Sequence, residues 1–182
     1  MTSTQPDQII HQLDVTSQGF LQATEGLTPE QWNWKPAPDI WSIRETAEHT
    51  TVVLRRIART LTATILSQPL PPTDDRSHAS DEVIIQRLFD RTVRRPAPEA
   101  VLPTGRWATA AQCTAAYVEG QEQVKEWYTG ITDDLRQFGA AHPALGMLDG
   151  VQWLLFLTAH TERHTRQMRE IQEWAGYPRG RK

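Results

Sequence analysis

Apolar residues recur at intervals of three and four along most of the chain, the spacing that lines one face of an α-helix. Ile9, Ile10, Leu13, Phe20 and Leu21 predict a first helix over residues 5–25, closed by Gly26 in the usual position after a helix end. A second opens at Ser42, where Ser42-Ile43-Arg44-Glu45 carries the serine and glutamate of a capping box. It runs to about residue 67 through Ala47, Val52, Val53, Leu54, Ile57 and Leu61. Val83, Ile84 and Leu88 predict a short helix over 80–94, with Ser80 as N-cap and Asp81 and Glu82 in the first turn. Ala111, Ala115, Val118, Val124 and Trp127 predict a long helix over 107–129. The final stretch, 153–174, is one long amphipathic helix with Trp153, Leu157, Met168 and Ile171 along its apolar stripe.

Breakers separate these segments. Residues 28–30 predict a helical turn entered through Thr28, after which Pro36 and Pro38 hold the chain extended. Residues 68–79 read as a proline-rich linker, and Pro96, Pro98 and Pro103 break the chain again. Residues 132–135 read as one capped turn, and Gly146 and Gly150 punctuate the approach to the last helix. No stretch alternates with a period of two over strand length, so no sheet is expected. The pattern predicts an all-α protein, a four-helix bundle with proline-rich linkers and short extra turns, in a single domain over 1–182. Trp32, Trp34 and Trp41 crowd the loop before the second helix, where they either cap one end of the core or line the mouth of a pocket. The basic tail after Trp174 is expected to fray or to dock through Tyr177.

Composition narrows the partners. A hydrophobic content of 38% with 23% charged residues is ordinary for a soluble globular protein. A net charge of −3, with arginines spread along helices, argues against nucleic acid as a partner. The longest apolar run, 153–159, stops at His160, far short of a membrane span. The single cysteine, Cys113, cannot build an intrachain disulfide framework and suits a reducing compartment. With no basic residue close to it, it reads as a buried filler rather than a reactive thiol. The polar opening lacks the layout of a signal peptide, and a cytoplasmic location is expected.

The chemistry lies in the histidines. His160 and His164 are four residues apart in the last helix, so their side chains share one face, and the apolar stripe passes through it. Two imidazoles aimed at a core need compensation, because an unpaired buried polar group costs about 1–3 kcal/mol. A shared metal ion supplies it. The intervening residues are Thr161, Glu162 and Arg163, so no glutamate directly follows the first histidine as in the zinc-protease HExxH pattern, and Glu162 projects to another face. The third ligand is expected from His49, set in the amphipathic second helix beside Glu48. Three neutral imidazoles leave coordination positions open, as in catalytic sites. Glu45, one turn before His49, either orients that imidazole or a water, or caps its helix. His11 reads as a surface histidine, and His78 falls in the linker with no role assigned.

The segments WSIRETAEH at 41–49, HPALG at 142–146 and QWLLFLTAHTERHTRQM at 152–168 resemble the DinB-like superfamily, metal-binding four-helix bundles related to bacillithiol and mycothiol transferases. Ala97-Pro98-Glu99 followed by Leu102-Pro103 is also similar to the link before that family's third helix. The resemblance covers essentially the whole chain. It implies that His49, His160 and His164 bind a divalent ion, commonly zinc or nickel, in a bundle of unusual connectivity that is frequently a dimer. It further implies small-molecule substrates and, in some members, a low-molecular-weight thiol cosubstrate that the metal activates as thiolate.

Three functions follow as expectations. One is a metal-dependent, thiol-using transferase. Another is a hydrolase in which the ion activates water and Glu45 serves as base. The last is a non-catalytic metal-binding or stress-related bundle. Arg44, Arg56 and Arg163 are candidates for holding an anionic substrate group, though each is more ordinarily a helix-surface charge.

Overall fold

Each long helix after the first starts where the sequence supplies a cap. In a computed structural model, which describes residues 6–70, 80–90, 92 and 96–179, six helices follow in order. They are α1 (Pro6–Thr24), α2 (Pro29–Asn33), α3 (Ile43–Ala63), α4 (Asp81–Phe89), α5 (Ala110–Gly130) and α6 (Gly150–Glu173). Ser42 and Glu45 close a capping box on α3, and Thr28 and Gln31 close one on α2. Asp149 and Gln152 form a third, which starts α6 ahead of the Trp153 that the apolar pattern marked. The first orphan N–H groups of three helices are thereby satisfied by local side chains. His78 and residues 91 and 93–95, where the expected short helix ended, lie outside the described residues.

The expectation of no sheet is overturned. β1 (Gly139–His142) and β2 (Gly146–Asp149) form an antiparallel hairpin, with His142 opposite Gly146 and Gly139 opposite Asp149. Four-residue strands are too short to display a period of two, and the glycines and alanines of β1 carry almost no pattern. Gly146 turns the hairpin at φ 77°, a conformation that L side chains seldom adopt. Residues 68–70 of the expected linker run beside it, with Leu70 N–H donating to Gln137 O and Gly139 N–H to Gln68 O. Gly139 sits so close to Leu70 on one side and to β2 on the other that a Cβ there would stand 2.7 Å from Leu148 O.

The principal helices α1, α3, α5 and α6 form the bundle. Both α1 and α3 pack against α5 and α6, so α1 lies diagonally across from α3, and α5 from α6. Directions follow from side-chain pairs. Asp14 meets Lys125 while Phe20 stacks on Tyr117 at 3.9 Å, which makes α1 and α5 antiparallel. Thr165 and Arg169 lie beside Gly19, and Gln172 donates to Ala23 O, so α1 and α6 are parallel. Thr51 touches Cys113 and Arg55 pairs with Glu119, so α3 and α5 are parallel as well. The order is up, down, down, up, and α3 and α6 meet as antiparallel neighbours.

Two expected faces are rotated. Ala111 and Ala115 of α5 are exposed, and the buried face is Cys113, Ala116, Tyr117, Gly120, Gln121 and Val124. Alanine is nearly neutral between core and surface, so alanine spacing misplaced the stripe; Tyr117 places it. Likewise Ile84 and Leu88 of α4 are buried but Val83 is 41% exposed. The N-terminus of α4 is fixed by Arg136, which forks onto Asp81 at 2.6 and 2.9 Å and reaches Asp149 at 3.0 Å. Its C-terminal carbonyls accept from Arg163, at 2.7 Å to Leu88 O and 2.9 Å to Asp90 O. Tyr177 docks the tail edge-on against Trp34 at 5.6 Å, and Gln31 donates to Pro178 O.

Candidate metal centre

Where α3 and α6 cross, His49, His160 and His164 come together, all buried, with exposures of 4%, 7% and 8%. One ring nitrogen from each lies within 4.8 Å of the other two. His49 Nε2 and His160 Nε2 are 3.3 Å apart. Nitrogens about 2.0–2.1 Å from a shared tetrahedral ion stand about 3.3–3.4 Å from one another, so this pair already has the spacing of two ligands.

Hydrogen bonds set the tautomers. Val101 O accepts from His49 Nδ1–H at 2.8 Å, and Gln167 Oε1 accepts from His164 Nδ1–H at 3.0 Å. Since a neutral imidazole carries one proton, both rings present a bare Nε2. His160 differs: its Nδ1 is buried with no hydrogen-bond partner among the described residues. Burial lowers the pKa of His49, against a smaller opposing effect of the Val101 hydrogen bond. Burial also pushes His160 well below its ordinary value, reinforced by the adjacent His164, His49 and Arg163. Neutral rings are the form that binds a metal. Spacing, tautomers and neutrality all fit a divalent ion.

Aromatic rings surround the triad. The Trp41 indole lies 5.0 Å from the His49 ring, and Phe156 stacks on His160 at 5.4 Å. His142, on the hairpin, packs against Phe156 at 4.5 Å and Trp153 at 5.3 Å, and burial lowers its pKa. The three indoles of the loop therefore divide: Trp41 borders the site, while Trp32 is buried in the core and Trp34 receives the tail.

The DinB superfamily profile matches residues 12–168, from within α1 through both histidines of α6. The chain belongs to the DinB superfamily. The uncharacterized protein YuaE of Bacillus subtilis (strain 168) is 25% identical over 149 residues, 82% of this chain and 88% of YuaE. YfiT from Bacillus subtilis is described as a probable metal-dependent hydrolase with an unusual four-helix bundle topology. It shares the fold, with a TM-score of 0.61 at 16% identity over 95% of this chain and 89% of YfiT.

Within this DinB bundle the other singled-out residues fall away from the ligand set. Glu45 Oε2 accepts from Ser42 N–H at 2.8 Å and Oε1 from Lys35 Nζ at 3.1 Å, so the carboxylate caps α3. Burial acts to raise its pKa, but the Ser42 N–H and the Lys35 ammonium outweigh it and hold the group below its usual value. His11 and Arg56 are exposed, and Arg163 is engaged with α4. Cys113 is fully buried and its thiol is pushed up to about 11, as befits an inert filler. Sequence reasoning missed the Val101 carbonyl, the Glu48 carboxylate and the role of Gln167. Only Gln167 left a readable signal, since it lies one turn beyond His164 on the same face.

Proposed function

We propose that the chain is a metal-dependent enzyme that transfers a low-molecular-weight thiol to a small electrophilic molecule. The observation that carries this reading is the convergence of three buried imidazoles, two with Nε2 bared by the hydrogen bonds at their Nδ1 atoms. When bound, a divalent ion such as zinc or nickel would act as a Lewis acid, ionising a coordinated thiol outright and bringing the ionisation of a coordinated water near neutrality. His49, His160 and His164 would hold the ion, Val101 O and Gln167 Oε1 orient two of the rings, and the Trp41 and Phe156 rings border the site. In the thiol route the proton of the coordinated thiol would pass to solvent, so no carboxylate base is required. The two carboxylates nearest His49 in sequence are both committed, Glu45 to the helix cap and Glu48 to backbone N–H groups.

A second reading, hydrolysis by metal-activated water, is supported by the fold shared with YfiT, which is described as a probable metal-dependent hydrolase. The deciding experiment loads the protein with zinc or nickel and assays electrophilic substrates with and without added thiol. Turnover only with thiol, lost in His160→Ala, supports the transferase; turnover in thiol-free buffer supports the hydrolase. Absence of metal uptake by elemental analysis rejects both and leaves a non-catalytic bundle.

A further inference from the structure

Glu48 is almost fully buried, at 1% exposure, one residue before His49. Its carboxylate does not point at the triad. Oε1 accepts from Thr104 N–H at 2.7 Å and from the Thr104 hydroxyl at 3.3 Å, and Oε2 accepts from Gly105 N–H at 2.9 Å. These donors belong to the segment between α4 and α5. Its 3-10 turn, Glu99–Val101, ends at the residue whose carbonyl receives His49 Nδ1–H. Consecutive residues of α3 thus grip one short strap at two points, Glu48 at 104–105 and His49 at Val101. Gly105 has φ 81°, a conformation open to glycine, and it turns its N–H into the carboxylate.

We infer that Glu48 is the positioning residue of the metal centre: by clamping the 101–105 strap onto α3, it holds the Val101 carbonyl where it fixes the ring orientation and tautomer of His49. Outer-shell partners that orient a ligating histidine are usually carboxylates or carbonyls in direct contact with it. Here the carbonyl makes the contact and the carboxylate secures the carbonyl. The geometry explains why a charged side chain is buried beside the ligands without binding anything there. Its oxygens are filled by two adjacent backbone N–H groups and a hydroxyl, the strong charge-assisted kind of hydrogen bond.

The inference rests on the metal reading for its affinity consequence but not for its structural one, and the test separates them. In metal-free protein, imidazole 15N shifts report which nitrogen of His49 carries the proton. The wild type should show a single tautomer protonated at Nδ1, and Glu48→Ala and Glu48→Gln should show a mixture of tautomers. Glu48→Gln keeps one acceptor and faces the second N–H with an amide, so it loosens the strap while retaining volume if the alanine variant fails to fold. Cobalt(II) titration, followed by its visible absorption, should give an affinity 10- to 100-fold weaker in the variants than in the wild type. A retained single His49 tautomer and wild-type cobalt affinity in every variant that folds would overturn the inference. Failure of the wild type to bind cobalt would instead count against the metal reading, and the tautomer comparison alone would then decide the role of Glu48.

Discussion

His160 turns one nitrogen toward His49 and leaves the other, Nδ1, buried without a hydrogen-bond partner among the described residues. Without an ion, the 3.3 Å contact is satisfied by a proton on His160 Nε2 donated to His49 Nε2, whose own proton is engaged at Val101. An ion held at Nε2 would require the His160 proton to sit on Nδ1 instead. His49→Ala, His160→Ala and His164→Ala should therefore each sharply reduce bound zinc or nickel, measured by elemental analysis, with helicity by circular dichroism retained; His11→Ala should leave metal content unchanged. The same burial predicts a pH dependence. Because His49 and His160 are held below 6.5, the unfolded chain takes up protons that the folded chain refuses as pH falls through that value. This stability is present above about pH 6.5 and is lost on acidification. The urea midpoint of metal-free protein should fall from about pH 7.5 to about pH 5.5, and less steeply in His160→Phe. The triad was legible in sequence because two ligands repeat at helical spacing and the third lies in a strongly patterned helix. Glu48 and Val101 were not, because Glu48 accepts mainly from backbone N–H groups and Val101 contributes its own carbonyl, and backbone groups leave no mark in side-chain identity.

At the start of α3, Glu45, for which the sequence left two roles open, takes part in the capping box. Its carboxylate is divided between Ser42 N–H and Lys35, and the structure places it on the cap. Glu45→Ala should thus lower the stability of the fold by about 1 kcal/mol in urea unfolding while metal affinity by titration stays at the wild-type level. A large drop in affinity would restore it to the centre. Helix starts were legible at the Thr28, Ser42 and Ser80 caps but not at Thr109 or Asp149, since α5 was expected from residue 107 and the apolar pattern of α6 begins later than its cap. The hairpin was illegible for a different reason. Gly139 is demanded by the approach of Leu70 and Leu148, a tertiary constraint that no local periodicity encodes.

At the scale of the molecule, the centre is a fastener between antiparallel neighbours, α3 and α6. Binding to the folded state alone stabilises it by about 2.7 kcal/mol at a metal concentration 100 times the dissociation constant. Thermal unfolding should therefore move to a higher midpoint on adding zinc or nickel and return on chelation, with no such shift in His164→Ala. The number of principal helices could be read from periodicity, but not the diagonal placement of α1 opposite α3, since an apolar stripe does not name the stripe it faces. That arrangement bears on how the protein comes into being. His49 and His160 are separated by 111 positions, and α6 is the last of the four bundle helices to be translated. At typical elongation rates the ribosome takes on the order of ten seconds to travel between them. Late in that interval α1, α3 and α5 have all been translated, but the helix that α1 and α3 both pack against has not. Closure of the core and completion of the ligand set are then one event, set by the emergence of α6 from the exit tunnel.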